Sequence, residues 1–181
     1  MVLAALAAVA VSLPFDATFL EVRQQVLSLQ KDLNNAARIQ QVSREVRHDI
    51  WTTQRLRNDL QRLRHRRPSD PFLRHDVQRL VWDLRDLNRS LYRAQAEIIR
   101  LSRQVERNPE YVAPAQDLDR NARDLRADAR WLETDGRWLA SDLRRLNMQQ
   151  EAWDIERETQ ESERYAREIE WEARGLLNKV R

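Results

Sequence analysis

The stretch LRHDVQRLVWDLRDLNRSLYRAQAEIIRLSRQV, Leu73 to Val105, decides the fold class. Its apolar residues fall at Leu73, Val77, Leu80, Leu84, Leu87, Leu91, Ala94, Ile98, Leu101 and Val105, in alternating steps of four and three without an error. That spacing draws one seam down one side of an α-helix and marks a helix that packs lengthwise against others. Such a pattern specifies packing and leaves chemistry open.

The flanking sequence can be laid against this seam. Before it, Asp16 is placed to cap a helix with apolar positions Phe19, Val22, Val26, Leu29 and Leu33; the pattern slips near Ala36 and Ile39 and resumes as Val42, Val46, Ile50, Thr53, Leu56, Leu60 and Leu63. With no Gly or Pro between Asp16 and Arg67, residues 16–67 read as one helix, ended by Pro68-Ser69-Asp70-Pro71. Helix two is predicted over 71–107, with Asp70 as its cap and Pro71 in its first turn. After Asn108-Pro109 and a linker, helix three is expected from Pro114 over 114–180. Its seam is Ala115, Leu118, Ala122, Leu125, Ala129, Leu132, Gly136, Leu139, Leu143 and Leu146, and it fades into an acidic extension beyond Gln150.

Short connections make neighbouring helices antiparallel, so the seams can be compared by reflection. Reflecting helix one about Asp70 sets Leu63 beside Val77, Leu60 beside Leu80, Leu56 beside Leu84, Val46 beside Ala94, Val42 beside Ile98 and Ile39 beside Leu101. Reflecting helix two about the second linker sets Val105 near Ala115, Ile98 near Ala122, Leu91 near Ala129 and Leu84 near Gly136, large against small. The expected fold is all-α: one elongated domain, an antiparallel three-helix bundle of coiled-coil type, with the C-terminal segment able to fold back as a fourth helix.

Composition agrees with long helices. The 181 residues are 34% charged and 41% hydrophobic, with two Gly and five Pro. The absence of Cys rules out disulfides and thiolate metal ligands. A formal charge of +3, carried by Arg with Lys only at Lys31 and Lys179, is too small to imply a polyanion partner by itself. Residues 1–15 begin with an uncharged Ala, Val and Leu run that is too short to span a bilayer. That run resembles the core of a secretory signal with small-residue cleavage sites at Ala8-Val9-Ala10 and Ala10-Val11-Ser12, although no positive segment precedes it. Export to a periplasmic or extracellular space is the expectation, and a cytoplasmic protein with an apolar tail the alternative.

The functional reading follows from the surface. Trp51, Trp82, Trp131 and Trp138 lie off the seams and offer a second contact surface, unless a widened core half-buries them and Arg such as Arg47 and Arg55 stack on Trp51. Phe19, Val22, Val26 and Leu29 outreach the shorter helix two and call for a partner. From Arg55 to Arg79 there are eight Arg and two His against three Asp, so Arg62, Arg64, Arg66, Arg67 and Arg74 form a basic hairpin tip that would suit phosphates or an anionic membrane. Against that, the tract from Glu151 to Glu172 holds nine acids and three Arg and is expected to neutralise the tip from within the assembly. His65 and His75 become neighbours under the first reflection, with Asp76 adjacent, which is a weak metal-site candidate amid repelling Arg. No nucleophile and base pairing or glycine-rich phosphate loop is present. The sequence therefore reads as a non-enzymatic structural, scaffold or assembly protein without cofactor or small-molecule substrate. Its expected partner is protein, a homo-oligomer first, and nucleic acid is not expected.

Overall fold

The structure, a computed structural model, describes residues 19–67 and 69–181. Four helices account for nearly all of them: α1 (Phe19–Arg64), α2 (Leu73–Gln104), α3 (Pro109–Arg145) and α4 (Gln149–Val180). The all-α bundle is as expected, and the segment after Gln150 is part of a fourth helix rather than an extension of the third. The chain divides into two compact units, Met1–Asn35 and Ala36–Arg181, where one elongated domain was expected. In the first unit α1 half-buries Val22 and Val26 and leaves Leu27, Leu29 and Leu33 exposed. The signal-like segment and the side chain of Phe19 lie outside the described residues.

Within Ala36–Arg181, the first reflection holds. Arg55 pairs with Asp83, Ser90 donates to Asp49, and Arg38 pairs with Glu97, all close to a mirror at Asp70. The apolar residues of both seams are buried at these levels. Asp70 lies two residues before the cap position, Phe72, whose N–H donates to Asp70 Oδ1 at 2.9 Å, and α2 starts at Leu73.

The second reflection fails. Helix α2 packs on α4, and α3 also packs on α4. Hydrogen bonds from Asn121 to Ser43, Gln54 to Asp128 and Arg57 to Asp135 tie α3 to α1, so α2 and α3 occupy opposite corners. Gly136 therefore does not receive Leu84; it lies against Thr159 of α4, whose Oγ1 would be 2.5 Å from a Cβ at Gly136. Two antiparallel hairpins, α1 with α2 and α3 with α4, lie side by side with α1 parallel to α3 and α2 parallel to α4. Their buried positions correspond at a constant offset: 76 residues from Val42, Val46, Leu56 and Leu63 to Leu118, Ala122, Leu132 and Leu139, and 75 residues from Leu80, Leu91 and Leu101 to Ile155, Ala166 and Leu176. An offset that stays constant along each pair keeps the heptads in phase, so successive levels of the core receive residues from both hairpins.

The break between α3 and α4 needs neither Gly nor Pro. Asn147 has φ 59°, the left-handed region that Asn tolerates better than other non-glycine residues. Asn147 N donates to Arg144 O at 3.2 Å and Met148 N to Leu143 O at 3.0 Å, while Leu143 and Met148 are both buried. This is the Schellman arrangement, which satisfies the last carbonyls of α3 and reverses the chain. At the other end α3 begins earlier than predicted, because Asn108 Oδ1 accepts from Glu110 N at 2.9 Å with Pro109 in the first turn; Pro114 then lies inside the helix.

Candidate interaction surface

Every pair of adjacent helices in the bundle is joined by a buried or half-buried polar link. Between α1 and α2, Ser90 Oγ donates to Asp49 Oδ1 at 2.8 Å. Between α1 and α3, Asn121 Nδ2 donates to Ser43 Oγ at 2.9 Å and to its carbonyl at 3.1 Å. Between α2 and α4, Asn88 Nδ2 donates to Glu158 Oε2 at 3.1 Å and its Oδ1 accepts from Ser162 Oγ at 2.7 Å. Between α3 and α4, Arg126 pairs with Glu170. These side chains sit beside an aliphatic seam where an unpaired polar group is costly, so each link penalises a slipped register.

The charges respond to burial. Asp49 is 2% exposed, its Oδ2 has no hydrogen-bond partner, and burial pushes its carboxyl up to about 6. At Glu158 burial also raises the carboxyl, but hydrogen bonds from Arg157, Arg85 and Asn88 outweigh it and hold Glu158 below its ordinary value. Glu170 is likewise lowered: burial opposes ionisation there, and Arg126 and Arg174 overcome it.

The tryptophans face water. Trp51, Trp82, Trp131 and Trp138 are 55–59% exposed, and Trp153 and Trp171, which the sequence reading passed over, are 51% and 76% exposed. Arg55 stacks on Trp51, as in the alternative to a contact surface, and the same device recurs with Arg85 on Trp82, Arg57 on Trp131, Arg64 on Trp138 and Arg157 on Trp153. The stacking partners of Trp131 and Trp138 come from a different helix, so periodicity along α3 gave no sign of them.

The arginine tip is largely paired. Arg62 meets Asp59, Arg64 meets Asp142, Arg66 meets Asp70 and Asp76, and Arg74 Nε lies 3.0 Å from Glu151. Arg67 is exposed. Only the start of the acidic tract reaches the tip; Asp154 and Glu158 serve Arg85, Glu156 serves Arg144, and Glu170 serves Arg126 and Arg174. The reason is direction: α4 starts at the tip and runs away from it beside α2. His65 and His75 are exposed, and no group of His, Asp and Glu among the described residues is arranged to hold a metal. No described helix is long and apolar enough to cross a membrane.

No protein-family model, curated protein or solved structure matches this chain.

Proposed function

We propose that the chain is a non-enzymatic assembly or scaffold protein that acts through protein contacts, forms an oligomer of itself and works in a compartment reached by export. One observation carries this reading. The bundle closes its core with Leu, Ile, Val and Ala, while Leu29 and Leu33 of α1, four residues apart on one face with half-buried Val22 and Val26, stay 38% and 47% exposed, and Leu27 is 56% exposed on another side. Burying a side chain of this size is worth roughly 1.5 to 3 kcal/mol, and grouped exposed apolar residues mark contact surfaces. Trp51, Trp82, Trp131 and Trp138 extend the same argument to the bundle. Ser43, Ser90, Asn88, Asn121 and Ser162 are engaged between helices and so serve packing. The apolar, signal-like residues 1–15 support export.

Binding of polyanions or an anionic membrane at the hairpin tip draws less support, because Arg62, Arg64, Arg66 and Arg74 are already paired with carboxylates. Sedimentation equilibrium of the whole chain at two salt concentrations separates the readings. Self-association at micromolar concentration, insensitive to salt and abolished by L27S/L29S/L33S with helicity unchanged, is the expected result. A monomer under all conditions overturns it, and retention on heparin that weakens steeply with salt transfers the function to the tip.

A further inference from the structure

The part of α1 that belongs to the first compact unit carries an apolar stripe that reads the same in both directions. Val22, Val26, Leu29 and Leu33 follow one another in steps of four, three and four. A two-fold axis between Leu27 and Ser28 therefore exchanges Val22 with Leu33 and Val26 with Leu29, and lays the stripe on itself. At 3.6 residues per turn the four side chains share one side of the helix. Arg23 and Gln30 flank them along one edge, Gln25 and Asp32 along the other, and Gln24, Ser28 and Lys31 lie opposite. Val22 and Val26 are half-buried, and Leu29 and Leu33 are 38% and 47% exposed. Arg23, Gln25 and Gln30 are exposed.

We propose that this stripe pairs antiparallel with the same stripe of a second copy of the chain, Val22 against Leu33 and Val26 against Leu29 of that copy. The proposal rests on the self-association reading above and names its segment, direction and register. A two-fold contact must be self-complementary, and a pattern that is its own reverse meets that requirement. The pairing makes four layers of one Val and one Leu each, so the layers have equal width and the helix axes can stay evenly spaced. A parallel pair would set Val on Val in two layers and Leu on Leu in the other two, loose at one end and crowded at the other. Flanking residues, which set orientation in paired helices, favour the same direction. Antiparallel pairing brings Arg23 beside Gln30 of the second copy and Gln25 beside its Asp32, each twice. A guanidinium donates to the amide oxygen and a carboxylate accepts from the amide N–H, and like charges nowhere meet. In a parallel pair Gln25 faces Gln30, and neither charge meets a polar side chain of the stripe's edges. A lipid surface or an unrelated helix would also cover apolar residues, but neither calls for a stripe with this symmetry.

The chain has no cysteine, so introduced thiols report the pairing without background. Full-length V22C and L33C are oxidised alone and mixed, and the covalent dimers are sorted by mass. In the proposed register the two positions share a layer, whereas Val22 of one copy lies about 16.5 Å along the axis from Val22 of the other. A disulfide needs Cα atoms within about 7 Å, so the mixed dimer should form in the mixture and neither variant should form one alone. The pair R23C and Q30C leaves all four layers intact and should behave the same way, while L27C, on another side of the helix, should stay uncross-linked. Reduced samples in sedimentation equilibrium show whether each variant still associates as wild type does. A disulfide from V22C alone means parallel helices and overturns the proposal. So does the absence of mixed disulfides from both pairs while the reduced chains associate; the self-association reading then stands and this register falls. A monomer at every concentration removes both.

Discussion

Gly136 on α3 and Thr159 on α4 meet so closely that a methyl group at Gly136 would lie 2.5 Å from Thr159 Oγ1 and 2.8 Å from its Cγ2. Thr159 cannot easily turn aside, because it is fully buried, β-branched, and its hydroxyl donates to Ile155 O at 2.9 Å. The small residue that a sequence reading assigns to a facing leucine is required by a threonine on another helix.

Gly136→Ala should therefore destabilise the bundle by about 1 to 2 kcal/mol. Overpacking costs about 1 to 3 kcal/mol, and the better helix propensity of Ala returns only about 0.5 to 1 kcal/mol. Adding Thr159→Ala should recover most of the loss, since it removes the clashing atoms. Urea denaturation of both single variants and the double variant gives the coupling energy. Additive effects, or stabilisation by Gly136→Ala alone, would place Thr159 elsewhere.

Asp49 should make stability fall as pH rises through the weakly acidic range. Below its unfolded value of 3.8 the carboxyl is protonated in both states and contributes no difference. Between 3.8 and about 6 the unfolded chain ionises while the folded chain keeps the proton. Over that interval about 3 kcal/mol is lost, after which the dependence levels off. Glu158 and Glu170, both lowered, act in the opposite sense and lose their contribution as pH falls below the ordinary glutamate range. The decisive quantity is the difference between wild type and Asp49→Asn in denaturation from pH 3.5 to 7.5, which should contain the fall and its plateau. A flat difference would mean that Asp49 is reached by water.

Asn88→Ala should cost about 2 to 3 kcal/mol, because it removes three buried hydrogen bonds, those to the Glu158 carbonyl and Oε2 and the one from Ser162, and leaves Glu158 Oε2 without its partner. It also takes one of three donors from Glu158, so the carboxyl should protonate at higher pH and acid unfolding should begin earlier. Denaturation at pH 7 and pH 4 checks both effects; a loss of equal size at the two pH values would confine Asn88 to a packing role.

Much of the architecture is a local matter and could be read from the chain. The seams of α1 and α2 differ from a random pattern because each buried residue must recur every three or four positions, and their pairing across Asp70 follows from a connection too short to permit anything but an antiparallel neighbour. Helix starts behave likewise: Asn108-Pro109 caps α3 through atoms two residues apart. The turn after Leu146 was legible in principle, since Asn147 beside an apolar Met148 is a helix-ending signal, but the seam returns at Tyr165 and Ile169 and disguises the reversal as a continuous helix.

What the sequence determined by itself was helix content, the inward faces and the α1–α2 register, each of which depends on residues near in sequence or joined by one tight turn. Tertiary structure alone decided that α2 and α3 stand at opposite corners, that Gly136 faces Thr159, and that Arg57 and Arg64 of α1 back Trp131 and Trp138 of α3. Heptad patterns make every helix of a bundle an acceptable neighbour for every other, so periodicity cannot choose among arrangements. The choice falls to a few polar and steric contacts between residues 23 to 78 positions apart, such as Ser43 with Asn121 and Gly136 with Thr159, whose energies exist only once the helices are packed.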